Sequence, residues 1–182
     1  MTKVETICTE LDDFAKDNKL NIDNILSITG APGLSQNQIY SIALACAYST
    51  KCTKLVNAIL HDAKDILSDK EIFAAKSAVS IMAMNNVYYR FLHYAADQEM
   101  FNMPANLRMQ VIERSGVNKI DFELYSLAIS ALNGCGLCMK SHKVLLEKSG
   151  VSKLTIQSVI RITSVVNSIS TSFYVHEIDK NV

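Results

Sequence analysis

Helix-breaking residues are scarce in this chain of 182 residues, and that scarcity limits its fold more than any other feature. The sequence contains two prolines and six glycines. Between them, long stretches repeat apolar residues at the 3.6-residue spacing of an α-helix. Ser35, Ser68 and Asn118 each precede such a stretch and are suitable helix N-caps. No stretch shows the alternation that is typical of a β-strand, so the sequence predicts an all-α protein.

Two helix boundaries are expected in the second half of the chain. Pro104 suits the first turn of a helix over residues 105–115, which Gly116 would end. The pair Asn133-Gly134 then separates two later helices, because this dipeptide favours a turn.

The composition fits one ordinary domain over residues 1–182. Apolar residues make up 49% of the chain and charged residues 20%, which is a globular balance. Basic and acidic residues are equal at 18 each, so no net charge attracts nucleic acid or an acidic membrane surface. The start lacks an apolar signal-peptide core, and no apolar run approaches the ~18 residues that span a bilayer. We expect a cytoplasmic protein that binds neither nucleic acid nor membranes.

Two segments of the chain resemble each other. The stretch QIYSIALACAY at 38–48 aligns with ELYSLAISALN at 123–133 at a constant offset of 85 residues. We therefore predict two similar helical repeats, at about residues 35–95 and 118–175. In this alignment the residues opposite Glu123, Cys135, Cys138 and His142 are Gln38, Thr50, Thr53 and Asn57. These titratable side chains then belong to the second repeat only. If the fold required them, the first repeat should have them too, so a function is favoured.

The stretch NGCGLCMKSH at 133–142 carries the chemistry. Cys135 and Cys138 are three residues apart, and Cys138 and His142 are four apart, so on a helix they share one face. The preceding helix break places Cys135 in the first turn, where free backbone N–H groups and the helix dipole favour a thiolate. His142 can accept the Cys138 proton and then stabilise the anion.

A carboxylate is expected beside this histidine. Glu123 lies about ten residues before the break and His142 about nine after it, so on two antiparallel helices both stand ~15 Å from the turn. A buried glutamate also needs a partner. The order Glu123, His142, Cys138 is then carboxylate, imidazole and thiol, a general arrangement for activating a nucleophile.

Other interpretations of the two cysteines stay open. Zinc would need two further ligands, and only His142 follows at a usable spacing. An inert core pair is disfavoured because Gly136 and the break make a poor core helix. Five thinly spread cysteines are not a secreted disulfide framework, so Cys8, Cys46 and Cys52 are expected to be structural. A dithiol that cycles with a disulfide is favoured.

The aromatic stretch NNVYYRFLHY at 85–94 allows two interpretations. It either forms a wall of the active-site cleft, to which Arg90 and His93 would contribute, or packs at a subunit contact. We favour the subunit contact.

The motif region as a whole is similar to a known family. DFELYSLAISALNGCGLCMKSHKVLLEKSGV resembles the active-site region of the alkyl hydroperoxidase D (AhpD) family, within the carboxymuconolactone decarboxylase-like superfamily. MAMNNVYYRF and LRMQVIERSGVNKIDFEL also resemble AhpD segments. The specific element is a glutamate twelve positions before a CxxCxxxH motif. The resemblance implies an AhpD-like helical fold that is assembled as a homotrimer.

The resemblance also implies an activity, which is an antioxidant lipoyl-dependent peroxidase with no tightly bound cofactor or metal. Dihydrolipoamide on a lipoyl-bearing dehydrogenase-complex subunit would reduce the dithiol, which in turn reduces an AhpC-type peroxiredoxin and, weakly, alkyl hydroperoxides. Cys138 matches the attacking cysteine that forms a sulfenic acid, and Cys135 matches the proton donor and resolving cysteine. Glu123 and His142 match the proton relay. Leu137 departs from the family, since many members have a histidine there.

Two other functions stay open at this point. One is carboxymuconolactone decarboxylase-like lyase chemistry, which would survive the change of both cysteines to serine. The other is a cysteine redox sensor or adaptor that does not turn over.

Overall fold

A computed structural model describes residues 1–179, so the last three residues of the predicted domain, 180–182, lie outside the described residues. Residues 1–179 form nine α-helices and two short 3₁₀ turns, with no β-strand, and the all-α prediction is confirmed. Among these helices, none combines the length and apolarity that a membrane span requires. The helices are α1 (Lys3–Cys8), α2 (Lys16–Ile25), α3 (Gln36–Ser49), α4 (Thr53–Asp62), α5 (Asp69–Ala95), α6 (Gln98–Asn102), α7 (Lys119–Leu132), α8 (Gly136–Lys148) and α9 (Lys153–Asp179).

The predicted N-caps stand at the helix starts. Ser35 and Ser68 each form a capping box, in which the serine side chain accepts from a backbone N–H three residues on. In return, Gln38 and Glu71 bind the backbone N–H of their respective serines. Asn118 caps α7 with its own side chain. These caps fix where the three helices α3, α5 and α7 begin.

The core lies around α7, which packs against α3, α5, α8 and α9. Leu124 and Ile129 of α7 are fully buried, as are Ile39 and Leu44 of α3. Burial of each such side chain contributes roughly 1.5–3 kcal/mol. Because α7 is held on several sides, a side chain that it directs towards α5 or α8 has a well-defined position.

The helix predicted over residues 105–115 is wrong. Only a 3₁₀ turn, Gln110–Ile112, lies within that stretch. Asn106 adopts the left-handed backbone region, with φ of 52°, and a right-handed helix cannot continue through such a residue. Met109 and Val111 pack against the core. Apolar contacts with the rest of the protein therefore determine the path of this segment.

Helix lengths recur in the two halves of the chain. Helices α3, α4 and α5 have 14, 10 and 27 residues, and α7, α8 and α9 have 14, 13 and 27. This order agrees with a duplicated unit, while the repeats over 35–95 and 118–175 stay a prediction.

The starts of α3 and α7, and of α4 and α8, are 83 residues apart, and those of α5 and α9 are 84 apart, whereas the sequence alignment has an offset of 85. Lys51 and Gly134 both have positive φ, 60° and 66°, and each precedes a cysteine at a helix N-cap position, Cys52 for α4 and Cys135 for α8, although only the Cys135 side chain makes a capping bond. At the offset of 83 residues the positions that correspond to Glu123, Cys135, Cys138 and His142 are Tyr40, Cys52, Leu55 and Ile59. The pairing of Cys135 with Thr50 stays a prediction; at the offset of the helix starts, Cys135 corresponds to Cys52 instead. The first half still lacks the carboxylate, the second cysteine and the histidine.

Candidate active site

A disulfide joins Cys135 to Cys138, with 5.3 Å between their Cα atoms. Cys135 is the N-cap of α8, and its Sγ accepts a hydrogen bond from the Cys138 backbone N–H at 3.3 Å. The pair therefore sits at the end of α8 where N–H groups and the helix dipole stabilise negative charge. Reduction of this disulfide would place one thiol at the N-cap and the other in the first turn of α8.

Glu123 and His142 are in contact. Glu123 Oε2 lies 2.6 Å from His142 Nδ1, and the two side chains are only 11% and 14% exposed. The contact joins α7 to α8, as expected from the similar distances of Glu123 and His142 from the turn between these helices. A carboxylate on Nδ1 orients the ring and leaves Nε2 as the nitrogen that can accept a proton. The role of this pair in a proton relay stays a prediction.

A cavity of about 380 Å³ opens beside this pair. Its lining residues are Met82, Asn85, Tyr89, Phe101, Ile112, Leu137, Cys138, Ser141 and His142. Cys138 and His142 therefore share one cavity. Cys135 is fully buried and is not among the lining residues, so a molecule in the cavity meets Cys138 first.

The wall of this cavity is mainly apolar. Tyr89, Phe101 and Leu137 contribute to it from α5, α6 and α8. Leu137, the position that departs from the family pattern, thus adds apolar surface next to Cys138. Such a lining suits an alkyl chain better than a small polar molecule.

Helix α5 is tied to the turn before Cys135. The Arg90 guanidinium donates to the Asn133 backbone carbonyl at 2.6 Å, and the Asn133 amide donates to Asn86 Oδ1 at 3.0 Å. The Asn86 amide in turn donates to Ser130 Oγ at 2.9 Å. Finally, the Cys135 N–H donates to the Ser130 carbonyl at 3.0 Å. These bonds link α5, the end of α7 and the first cysteine.

The favoured interpretation of residues 85–94 overlooked these contacts. Besides Arg90, the imidazole of His93 lies near Gly136, the residue after Cys135, since its Nε2 is 3.9 Å from where a Cβ on Gly136 would stand. The sequence signal was the pairing of aromatic and basic residues in this stretch, but nothing in it showed which face of the helix meets the dithiol. The subunit contact itself stays a prediction.

The remaining cysteines are free thiols. Burial raises the pKa of Cys8 and of Cys46 to about 12 in each case, so both stay protonated at neutral pH. Cys52 is only partly buried. Cys8 and Cys46 therefore have the surroundings of structural core residues, as expected for them.

No three His, Cys, Asp or Glu side chains within residues 1–179 are grouped closely enough to hold a metal ion.

Known proteins are similar to this chain along most of its length. The Carboxymuconolactone decarboxylase family model matches residues 98–173, which include the whole CxxC region. A protein of Coxiella burnetii named "Alkyl hydroperoxide reductase AhpD" is 48% identical over 92% of this chain and 94% of its own length. Proteins of the same name from Azorhizobium caulinodans and Streptomyces griseus are each 43% identical over 91% of this chain, and over 90% and 92% of their own lengths. With this identity over nearly the full length, the chain belongs to the AhpD family of the carboxymuconolactone decarboxylase-like superfamily.

Proposed function

We propose that this chain is an antioxidant peroxidase in which the Cys135–Cys138 dithiol is oxidised to a disulfide. Its relatives are named alkyl hydroperoxide reductases, which supports a peroxide-related oxidoreductase. The observation that carries the proposal is the 2.6 Å contact between Glu123 and His142. It orients the histidine that lines the same cavity as Cys138.

Cys138 is the attacking sulfur. It lines the cavity, whereas Cys135 is fully buried. His142 removes the Cys138 proton at Nε2, and Glu123 holds the ring through Nδ1 and stabilises the imidazolium that forms. The thiolate then attacks the terminal oxygen of a hydroperoxide. An S–O bond forms, the O–O bond breaks, and the alcohol leaves with a proton.

Cys135 is the resolving sulfur. As the thiolate, it attacks the sulfenic acid on Cys138, so that an S–S bond forms and water leaves with the hydroxyl oxygen. The two electrons that reduced the peroxide thus come from the two thiols. The disulfide between Cys135 and Cys138 is the product of this step.

Dihydrolipoamide on a lipoyl-bearing dehydrogenase-complex subunit is the proposed reductant. One of its thiolates attacks the protein disulfide, and its second thiol then closes the lipoamide ring disulfide and releases the protein dithiol. The apolar cavity wall, which includes Tyr89, Phe101 and Leu137, suits the hydrocarbon part of such an arm. Because the reductant arrives on a partner, the mechanism needs no tightly bound cofactor.

The proposed main electron acceptor is an AhpC-type peroxiredoxin, and direct reduction of alkyl hydroperoxides is the weaker path. The proposed location is the cytoplasm, where thiols are kept reduced. A homotrimer is the proposed assembly. Val87, Phe91 and Tyr94, which share one face of α5, support it because they are 60%, 54% and 74% exposed.

A reconstituted assay tests the proposal. The protein is mixed with dihydrolipoamide and a hydroperoxide, with and without an AhpC-type peroxiredoxin, and lipoamide formation is followed. We expect turnover that the peroxiredoxin accelerates, that Cys138→Ser abolishes, and that the matched control Cys52→Ser leaves unchanged. Equal turnover in Cys138→Ser would refute the dithiol mechanism, and no turnover under any condition would refute the peroxidase.

A further inference from the structure

We propose that Asn86 and Arg90 of α5 are positioning residues for the dithiol, because they hold the turn that carries Cys135 within reach of Cys138. The inference rests on the proposed function, since it concerns the same two sulfurs. Neither residue is assigned a role in the proton relay or in peroxide attack, so their effect would pass through the backbone of the turn.

Asn86 is the buried centre of this arrangement. It is 1% exposed, and its amide uses both ends: it donates to Ser130 Oγ at 2.9 Å and accepts from the Asn133 amide at 3.0 Å. A buried carboxamide with partners at both ends has a fixed orientation. It therefore fixes the Asn133 side chain relative to the last turn of α7.

Arg90 holds the main chain of the same turn. Its guanidinium donates to the Asn133 carbonyl at 2.6 Å, one of the final carbonyls of α7, which lack a partner within the helix. A cation is also favourable at a helix C-terminus. On the far side of Gly134, the Cys135 N–H is bound to the Ser130 carbonyl at 3.0 Å. Gly134, whose positive φ makes it the pivot of the turn, is thus fixed on both sides.

The consequence is a restricted position for the Cys135 sulfur in the reduced protein. When the turn is held, closing the disulfide costs little further conformational entropy. When it is loosened, Cys135 samples more positions in the dithiol, and ring closure becomes less favourable. Loss of the hydrogen bonds from Asn86 and Arg90 should therefore shift the dithiol–disulfide equilibrium towards the dithiol. It should also slow the attack of Cys135 on a species attached to Cys138.

The test is a redox titration against glutathione. Cys138 attacks glutathione disulfide and releases one glutathione; Cys135 then attacks Cys138 and releases the second, so the protein loses two electrons and two protons that two glutathione molecules carry. We expect Asn86→Leu, Asn133→Ala and Arg90→Met each to lower the equilibrium constant for disulfide formation by about three- to tenfold, the range that one or two lost hydrogen bonds produce. Asn86→Leu and Asn133→Ala both remove the bond between the Asn133 amide and Asn86. The equilibrium constant of their double variant should therefore be little lower than that of the more affected single variant.

A matched control separates positioning from general stability. Asn18 of α2 donates to Ser172 Oγ of α9 at 3.3 Å, so Asn18→Ala also removes an amide–hydroxyl bond between helices. It should lower the melting temperature without changing the redox equilibrium. If the Asn86, Asn133 and Arg90 variants likewise melt earlier at an unchanged equilibrium, the residues are only structural and the proposal is overturned.

A second variant and the composition of the titration separate this test from protein folding and from the peroxidase assay. Should Asn86→Leu fail to fold, Asn133→Ala decides the question, because Asn133 is only partly buried and its replacement leaves the backbone bond to Arg90 in place. The titration also contains no peroxide, lipoamide or peroxiredoxin. A failed peroxidase assay would therefore leave its result intact, and an unchanged equilibrium would leave the peroxidase proposal intact.

Discussion

Cys135 and Cys138 stand three residues apart in the sequence but meet different surroundings. Cys138 lines the cavity with His142, while Cys135 is fully buried at the cap of α8. This difference in access supports the assignment of Cys138 as the attacking sulfur and Cys135 as the resolving one. The spacing of the two cysteines alone could not provide this assignment, because either cysteine of a CxxC motif at a helix start can become the thiolate.

Trapping with the partner tests the assignment of the two sulfurs. In Cys135→Ser the attacking sulfur keeps its reactivity but loses its resolving partner, so a mixed disulfide with the peroxiredoxin should accumulate. Cys138→Ser should form none. Non-reducing electrophoresis of each variant with oxidised peroxiredoxin measures both, and accumulation in Cys138→Ser instead would exchange the two roles.

The three free thiols should react at different rates. With the disulfide closed, iodoacetamide at pH 8 should label Cys52 first, since it is only partly buried. Cys8 and Cys46 should lag far behind, because burial raises the pKa of each to about 12 and blocks the reagent. Peptide mapping over time gives the three rates, and unfolding in urea should make them similar. Labelling of Cys46 as fast as Cys52 in the native protein would contradict this description of the core.

At the scale of helices, sequence reasoning succeeded where local side chains decide the structure. Ser35, Ser68 and Asn118 could be identified as caps because capping needs only the side chain and the next three residues. The helix predicted over residues 105–115 does not form, since core contacts of Met109 override their helical pattern. The sequence alignment of the two halves has an offset of 85 residues, whereas the turns at Lys51 and Gly134 lie 83 residues apart.

The turn at Gly134 provides a prediction at this scale. A Cβ added there meets no atom within 4 Å, so the cost of Gly134→Ala comes from the backbone alone, at φ of 66°. We expect a loss of roughly 1–2 kcal/mol of unfolding free energy, and therefore a fall of about 2–4 °C in melting temperature per kcal/mol. Gly134→Asn should lose less, because asparagine tolerates the left-handed region better than alanine. Equal losses in both variants would contradict a backbone origin.

At the scale of the whole molecule, four helices meet to form the site: α5, α6, α7 and α8. The part built from α7 and α8 was predictable, because a short turn between adjacent helices fixes which residues stand side by side. The contribution of α5 was not, since Asn86 and Arg90 lie more than forty residues from their partners in the turn. Which face of the 27-residue α5 meets the turn depends on packing of the complete domain.

The proposed homotrimer is also a prediction at this scale. Light scattering should give a mass of about 61 kDa for three chains of 20.2 kDa. If the exposed face of α5 forms the contact, Phe91→Glu should dissociate the trimer, because a charge cannot be buried there without a partner. Phe14→Glu is the matched control, as Phe14 is similarly exposed at 53% but lies outside α5. A monomer mass for the unaltered protein would refute the assembly.

The central claim is that Glu123 orients His142 and that His142 deprotonates Cys138. It is tested most directly by the pH dependence of Cys138 alkylation in the reduced protein, compared with His142→Phe, Glu123→Gln and the double variant, while Cys52 on the same molecules is the internal reference. His142→Phe should move the midpoint of the alkylation profile to higher pH, and removal of a positioned base should slow peroxide reduction by ~10²–10⁴-fold. Glu123→Gln should act in the same direction but more weakly, and the double variant should match His142→Phe, because the two residues act in series. Losses that multiply in full, or an unchanged profile in Glu123→Gln, would show that Glu123 is a structural carboxylate and that the relay does not exist.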